Sequence, residues 1–207
     1  MADTVPVDRP VRALWVRLLV VGAVSVLLGV LTFFAQGVLP DAWRSFANSA
    51  SGWTLLTAVL VFASRAATRL AAVLGAVSFV LLVVGYSMGA AQHGLSYSPV
   101  LFGVVGLVVG PFVGVAAVWL RDRAIRGGLG VALLTGIFVG EAVYGLTVIA
   151  DSTRPEYWVL IGSVGVVLLI GMVFGRLRGW TSRLVAVAGA TVTAGAFVVA
   201  YSMLGGV

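Results

Sequence analysis

The chain has 207 residues, 61% of them hydrophobic and only 10% charged, with a formal net charge of +6. A soluble domain carries about 25% charged residues, so this composition cannot cover a water-facing surface, and lipid is the solvent it fits. Cysteine is absent, which excludes disulfides, thiol catalysis and thiolate metal sites.

A helix needs about 20 mostly apolar residues to cross roughly 30 Å of hydrocarbon. Seven segments meet that requirement, so the predicted fold class is an all-α polytopic membrane protein with seven transmembrane helices. Residues 1–12 read as a cytoplasmic amino-terminal tail and residues 13–205 as one transmembrane domain. The first span is Leu14–Gln36. Arg9, Arg12 and Arg17 precede or open it in the manner of a signal peptide. Its apolar run exceeds the usual h-region of roughly 7–15 residues and no Ala-x-Ala site follows, so it reads as an uncleaved span. The second span, Ala47–Ala63, is the weakest, because its apolar part begins only at Trp53. Leu70–Ala91, Val100–Leu120, Leu129–Ala150, Tyr157–Phe174 and Leu184–Leu204 complete the set.

Arginine placement sets the direction. All thirteen basic residues are arginine, and they sit in short clusters between apolar runs, a pattern of topology signals and not of nucleic-acid binding. Eleven fall on one side: Arg9, Arg12 and Arg17; Arg65 and Arg69; Arg121, Arg123 and Arg126; Arg176, Arg178 and Arg183. Arg44 and Arg154 stand alone on the other. The positive-inside rule makes the rich side cytoplasmic, giving an N-in/C-out chain in the plasma membrane. Trp15, Trp53, Tyr97, Trp119, Tyr157, Trp158, Trp180 and Tyr201 lie near span ends and read as interface anchors. Glycines recur at four-residue spacing, as Gly85/Gly89, Gly106/Gly110/Gly114, Gly136/Gly140 and Gly171/Gly175, and predict close helix packing.

Spans three and seven resemble each other. Arg69-Leu70-Ala71-Ala72-Val73-Leu74-Gly75-Ala76 matches Arg183-Leu184-Val185-Ala186-Val187-Ala188-Gly189-Ala190 at six of eight positions, and Tyr86-Ser87-Met88 matches Tyr201-Ser202-Met203 at all three. A 3+1+3 parallel internal repeat would follow, with the fourth span as linker, an arrangement found in transporters. The competing reading is convergent composition in Gly/Ala/Val-rich helices.

Candidates for chemistry are few. Without lysine there is no Schiff base, and one histidine, His93, cannot form a bis-histidine haem site. Paired carboxylates are missing from the spans, so the expectation is a protein that is not an enzyme, with no metal and no cofactor. Glu141 is the one acid inside a span. A carboxylate there costs roughly 2.5–3.5 kcal/mol, so it should face the bundle and bond to a polar side chain or a carbonyl of another helix. On a purely structural role, Glu141→Gln should be nearly silent. Tyr144 lies one turn further along the same face, and Gln36 and Tyr86 lie near the ends of their spans. Asn48 or Ser49 can cap the second helix, or Asn48 can line a polar mouth. The ligand- or proton-binding candidates are therefore Glu141, Tyr144, Gln36, Asn48 and Tyr86.

Leu39-Pro40, Trp43, Ala47-Asn48-Ser49 and Trp53, followed by Tyr86, resemble a family of actinobacterial integral membrane proteins of unknown function. Where that family often shows a second aromatic beside the tyrosine, this chain has Ser87. The resemblance implies no activity, ligand or catalytic residue. The leading functional expectation is a permease-like protein for a small solute or lipid. The alternative is a non-transporting accessory or scaffold subunit, and an intramembrane enzyme is a minor third. The implied partners are the lipid bilayer and either a small-molecule ligand or a homo- or hetero-oligomeric partner chain, with no nucleic acid.

Overall fold

The computed structural model describes residues 8–95 and 97–204. The expected tail lies outside the described residues up to residue 7, and from Asp8 onward the chain is helical. Among the described residues there are eight α-helices and no strand: α1 (Asp8–Val38), α2 (Asp41–Arg44), α3 (Ala50–Ala63), α4 (Thr68–Gln92), α5 (Val100–Trp119), α6 (Ile125–Thr147), α7 (Pro155–Gly175) and α8 (Trp180–Leu204). A 3-10 turn, Ser45–Asn48, links α2 to α3. Six helices are long and apolar enough to cross a membrane, namely α1, α4, α5, α6, α7 and α8. The protein is a multi-pass membrane protein.

The helix stops follow local chemistry. At the end of α4, Gly94 takes φ +69°, Leu95 N–H bonds the Ala90 carbonyl at 3.1 Å and Gly94 N–H bonds that of Ala91. This is a Schellman ending, which only glycine enters without a Cβ clash. Pro155 opens α7 at its first turn, where its missing N–H costs nothing.

The second span differs from its expected form. The run Ala47–Ala63 is not one helix. The straight part, α3, has 14 residues, about 21 Å at 1.5 Å per residue, too short for the hydrocarbon layer. The preceding Asp41–Asn48 segment meets it at a 60° bend. The reason lies in Asn48, Ser49 and Ser51, short polar side chains that compete for backbone groups and favour caps over helix interiors.

Glycine brings the long helices together as expected, with one exception. A Cβ on Gly85 of α4 would strike the Val26 carbonyl of α1; on Gly114 of α5 it would strike the Ala71 carbonyl of α4; on Gly140 of α6 it would meet the Ala194 carbonyl of α8 at 2.8 Å. Gly171 and Gly175 of α7 instead face open space. Leu74, Val61, Val113, Ala71 and Ala117 form the centre of the apolar core between α3, α4 and α5.

At one end of the bundle the arginine-bearing loops meet. Arg178 N–H bonds the Arg123 carbonyl at 2.7 Å, Arg176 bonds the Arg121 carbonyl at 2.8 Å, and Arg121 bonds the Phe62 carbonyl with its guanidinium 4.1 Å over the Phe62 ring. The interface-anchor expectation fits Trp15 and Trp180, which are exposed. It fails for Trp53, Tyr157 and Trp158, which are buried in the bundle. Buried tryptophans need a partner for the indole N–H. Trp158 donates to the Thr153 hydroxyl at 2.9 Å and Trp53 to the Ala47 carbonyl at 3.4 Å.

Candidate functional site

The bend before α3 creates a problem that the neighbouring helices solve. A helix begins with N–H groups that have no partner within it, and inside a bilayer no water replaces one. In α3 the three free donors belong to Ala50, Ser51 and Gly52. Ser49, the N-cap residue in extended conformation, accepts from Gly52 N–H at 2.9 Å. The other two go to Glu141 of α6, whose Oε1 accepts from Ala50 N–H at 2.8 Å and Oε2 from Ser51 N–H at 2.6 Å. Trp53 N–H then makes the first bond within the helix, to the Ser49 carbonyl. The backbone N–H groups of Ala50, Ser51 and Gly52 are thus all paired, two of them by a carboxyl group from another helix.

Glu141 is 2% exposed and so faces the bundle as expected. Its best-aligned partners are the backbone N–H donors of Ala50 and Ser51, which were not expected, and the Ser51 side chain of α3 lies beside them. The end of a helix where N–H groups point outward carries about half a positive charge, which offsets part of the cost of burying an acidic side chain there. The expectation that glutamine would be silent no longer holds, because both oxygens accept. An amide offers one acceptor and would turn its NH₂ towards a second N–H.

Ser49 also bonds the Tyr157 hydroxyl of α7 at 2.6 Å, and Tyr157 is 1% exposed. Phe46 and Trp158 pack edge-on against its ring. Gly145 of α6 makes room for this group, since a Cβ there would enter the Trp158 ring. Gly52 does the same for the bend, since a Cβ would strike the Phe46 carbonyl.

Above this cap lies an open cleft of about 600 Å³, at the end of the bundle opposite the arginine-rich loops. It is lined chiefly by Gln36, Asp41, Arg44, Asn48, Asp151 and Arg154. Arg44 is paired with Asp41 at 2.8 Å. Asn48 and Trp158 lie on its wall, and the residues next to them in the chain, Ser49 and Tyr157, are the bonded pair. That pair is thus one residue along each chain segment from the cleft wall.

Of the five candidates, Gln36 and Asn48 line the cleft. Tyr86 joins them indirectly, donating to Gln36 Oε1 at 2.6 Å. Glu141 is buried and does not line the cleft, and Tyr144 turns to Tyr201 of α8, with ring centroids 5.4 Å apart. Asn48 is exposed and caps nothing; Ser49 is the cap. Sequence reasoning read Tyr157 as an interface anchor and did not single out Ser51. A tyrosine at a helix start reads alike whether it faces lipid or the bundle. Among the described residues no group of histidines and acids could hold a metal ion. No curated protein and no solved structure matches the chain. Residues 8–206 match a family of unknown function (DUF6518), and the chain belongs to that family.

Proposed function

We propose that the protein is a non-enzymatic, permease-like protein of the plasma membrane that admits a small polar solute through the cleft. The α2–α3 segment counts as one broken span, giving seven spans, N-in/C-out, with the cleft on the outside. The observation that carries this reading is the broken second span, whose buried start is held by Glu141 beneath a polar cleft. Discontinuous helices whose free ends meet the bound solute are the usual construction of secondary transporter sites. Two arginines and two aspartates line the cleft, a balance that suits a neutral or zwitterionic solute better than a strong ion.

The parallel repeat belongs to the same reading. α1 packs on α4 and α6 packs on α8, each pair joined through glycine. α3 and α7 are seated differently, α7 against α6 and α3 against α4 and α5, as expected if one copy of the repeat has broken its middle helix to build the site.

Native mass spectrometry of the purified protein tests the proposal. A retained small polar molecule, lost on Arg154→Ala, supports it. A stoichiometric partner chain with no small molecule would favour the accessory-subunit alternative and overturn the permease reading.

A further inference from the structure

Hydroxyl groups that face lipid in this protein bond back to their own helix. Ser163 bonds Val159, Thr191 bonds Val187, Ser202 bonds Val198 and Thr147 bonds Val143, each four residues earlier. Such groups ask for nothing more. The hydroxyls of α3 are arranged otherwise. Ser51, Thr54 and Thr57 recur every third residue on one face, and all three are buried. Ser51 Oγ lies beside the Glu141 carboxyl group without a well-aligned hydrogen bond. From Thr57 the series crosses to other helices: Ser78 of α4 donates to Thr57 at 3.4 Å, and Ser25 of α1, which also bonds back to the Val21 carbonyl at 2.7 Å, lies 2.8 Å from Ser78.

Three buried hydroxyls thus run from Glu141 along α3 for about 9 Å at 1.5 Å per residue, and two more, on α4 and α1, end the series between α1, α3 and α4. None carries a charge. Hydroxyls both donate and accept, so the series offers bonding to water or a neutral polar solute and no counter-charge to an ion. Towards the arginine-rich end it meets Val21, Val61 and Leu74, all buried in the apolar core. An unsatisfied buried hydroxyl costs about 1–3 kcal/mol, which a file occupied by a hydrogen-bonding guest recovers.

We infer that Ser51, Thr54, Thr57, Ser78 and Ser25 are the inner half of the solute path, taking water and neutral hydrogen-bonding solutes past Glu141. The Ser49–Tyr157 bond closes this half from the cleft, and the Val21–Val61–Leu74 layer seals it from the arginine-rich side. The inference rests on the permease reading for its purpose, though its test does not depend on a retained solute.

The chain has no cysteine, so single cysteines report cleanly. Thr54→Cys, Thr57→Cys and Ser78→Cys are reacted in membranes with a small methanethiosulfonate. Val61→Cys and Leu74→Cys, equally buried but in the apolar layer, serve as controls. The file positions should react about tenfold or more faster than the controls, since local opening of a polar path admits reagent more readily than opening of the core. Tyr157→Phe, which removes the bond to Ser49, should speed them further. Equal inertness at file and control positions, with and without Tyr157→Phe, would make the file a dry packing seam and overturn the inference. If Thr57→Cys does not fold, Ser78→Cys on a different helix gives the same reading. Fast labelling in a protein that retains only a partner chain would remove the permease reading and leave the hydrated file standing.

Discussion

Replacing Glu141 with glutamine isolates the cap that α6 lends to α3. The wild-type carboxylate receives two backbone N–H groups, at 2.8 and 2.6 Å. A hydrogen bond to a charged group contributes about 1.5–3 kcal/mol, and a carboxylate at a helix start adds about 0.3–2 kcal/mol through the helix dipole. Glutamine keeps one acceptor, loses the charge and opposes a donor to a donor. The expected loss is therefore about 2–4 kcal/mol. For a chain of this size that is roughly 4–16 °C in Tm, at 2–4 °C per kcal/mol. Glu141→Leu should be worse, because it leaves two N–H groups buried and unpaired at about 1–3 kcal/mol each. Six tryptophans make intrinsic fluorescence a convenient readout of unfolding in detergent. Glu141→Gln within about 2 °C of wild type by that scale, with Glu141→Leu equally mild, would refute the capping role.

Three other outcomes follow from the geometry. Arg123→Cys should be protected from an impermeant thiol reagent in intact cells while Ser152→Cys is labelled; the reverse pattern would invert the topology. Ser49→Ala should lower stability by about 0.5–2 kcal/mol through loss of the bond to Gly52 N–H, measured by thermal melting, while Asn48→Ala changes little. Gly114→Ala should cost about 1–3 kcal/mol by overpacking against Ala71, seen as reduced yield and Tm, whereas Gly171→Ala, facing open space, should be tolerated.

Run length located most of the fold. α5 ends one residue before its expected limit, and α4 and α7 extend theirs by one or two residues at each end. These spans are legible because crossing lipid depends on length and apolarity, which the sequence states directly. The second span was not legible in the same way. Its polar start reads as a loop followed by a span, and only the packed structure shows a bend closed by a distant carboxylate. Ala50 and Glu141 are 91 positions apart, and no local pattern encodes that pairing. The cost of placing a charge in hydrocarbon did mark Glu141, and it did say that the side chain must turn inward. It could not say towards what. Tyr157 had no such mark, since its burial depends on Gly145 leaving room for Trp158, a contact between helices.

Whether the two caps of α3 act together can be tested with a double-mutant cycle on Ser49→Ala and Glu141→Gln. Their three bonds fall on consecutive residues, Ala50, Ser51 and Gly52. If packing alone held this helix start in place, each cap would contribute independently and the two losses would add to within about 0.3–0.5 kcal/mol. The structure argues otherwise. The segment before Ala50 turns away at 60°, so the first turn of α3 has no helical neighbour on its chain to hold it. Removing Glu141's two bonds should let that turn fray, and the Ser49–Gly52 bond should then already be weakened. The double variant should lose less than the sum of the single losses, by about 0.5–3 kcal/mol. Both caps also reach other helices, Ser49 through its bond to Tyr157 of α7 and Glu141 as a residue of α6. Coupling between them means that a solute disturbing the Ser49–Tyr157 bond also loosens the grip of Glu141 on α3. Strict additivity would show that the two contacts are separate supports, and would remove the helix start as the element that joins the cleft to the hydroxyl file.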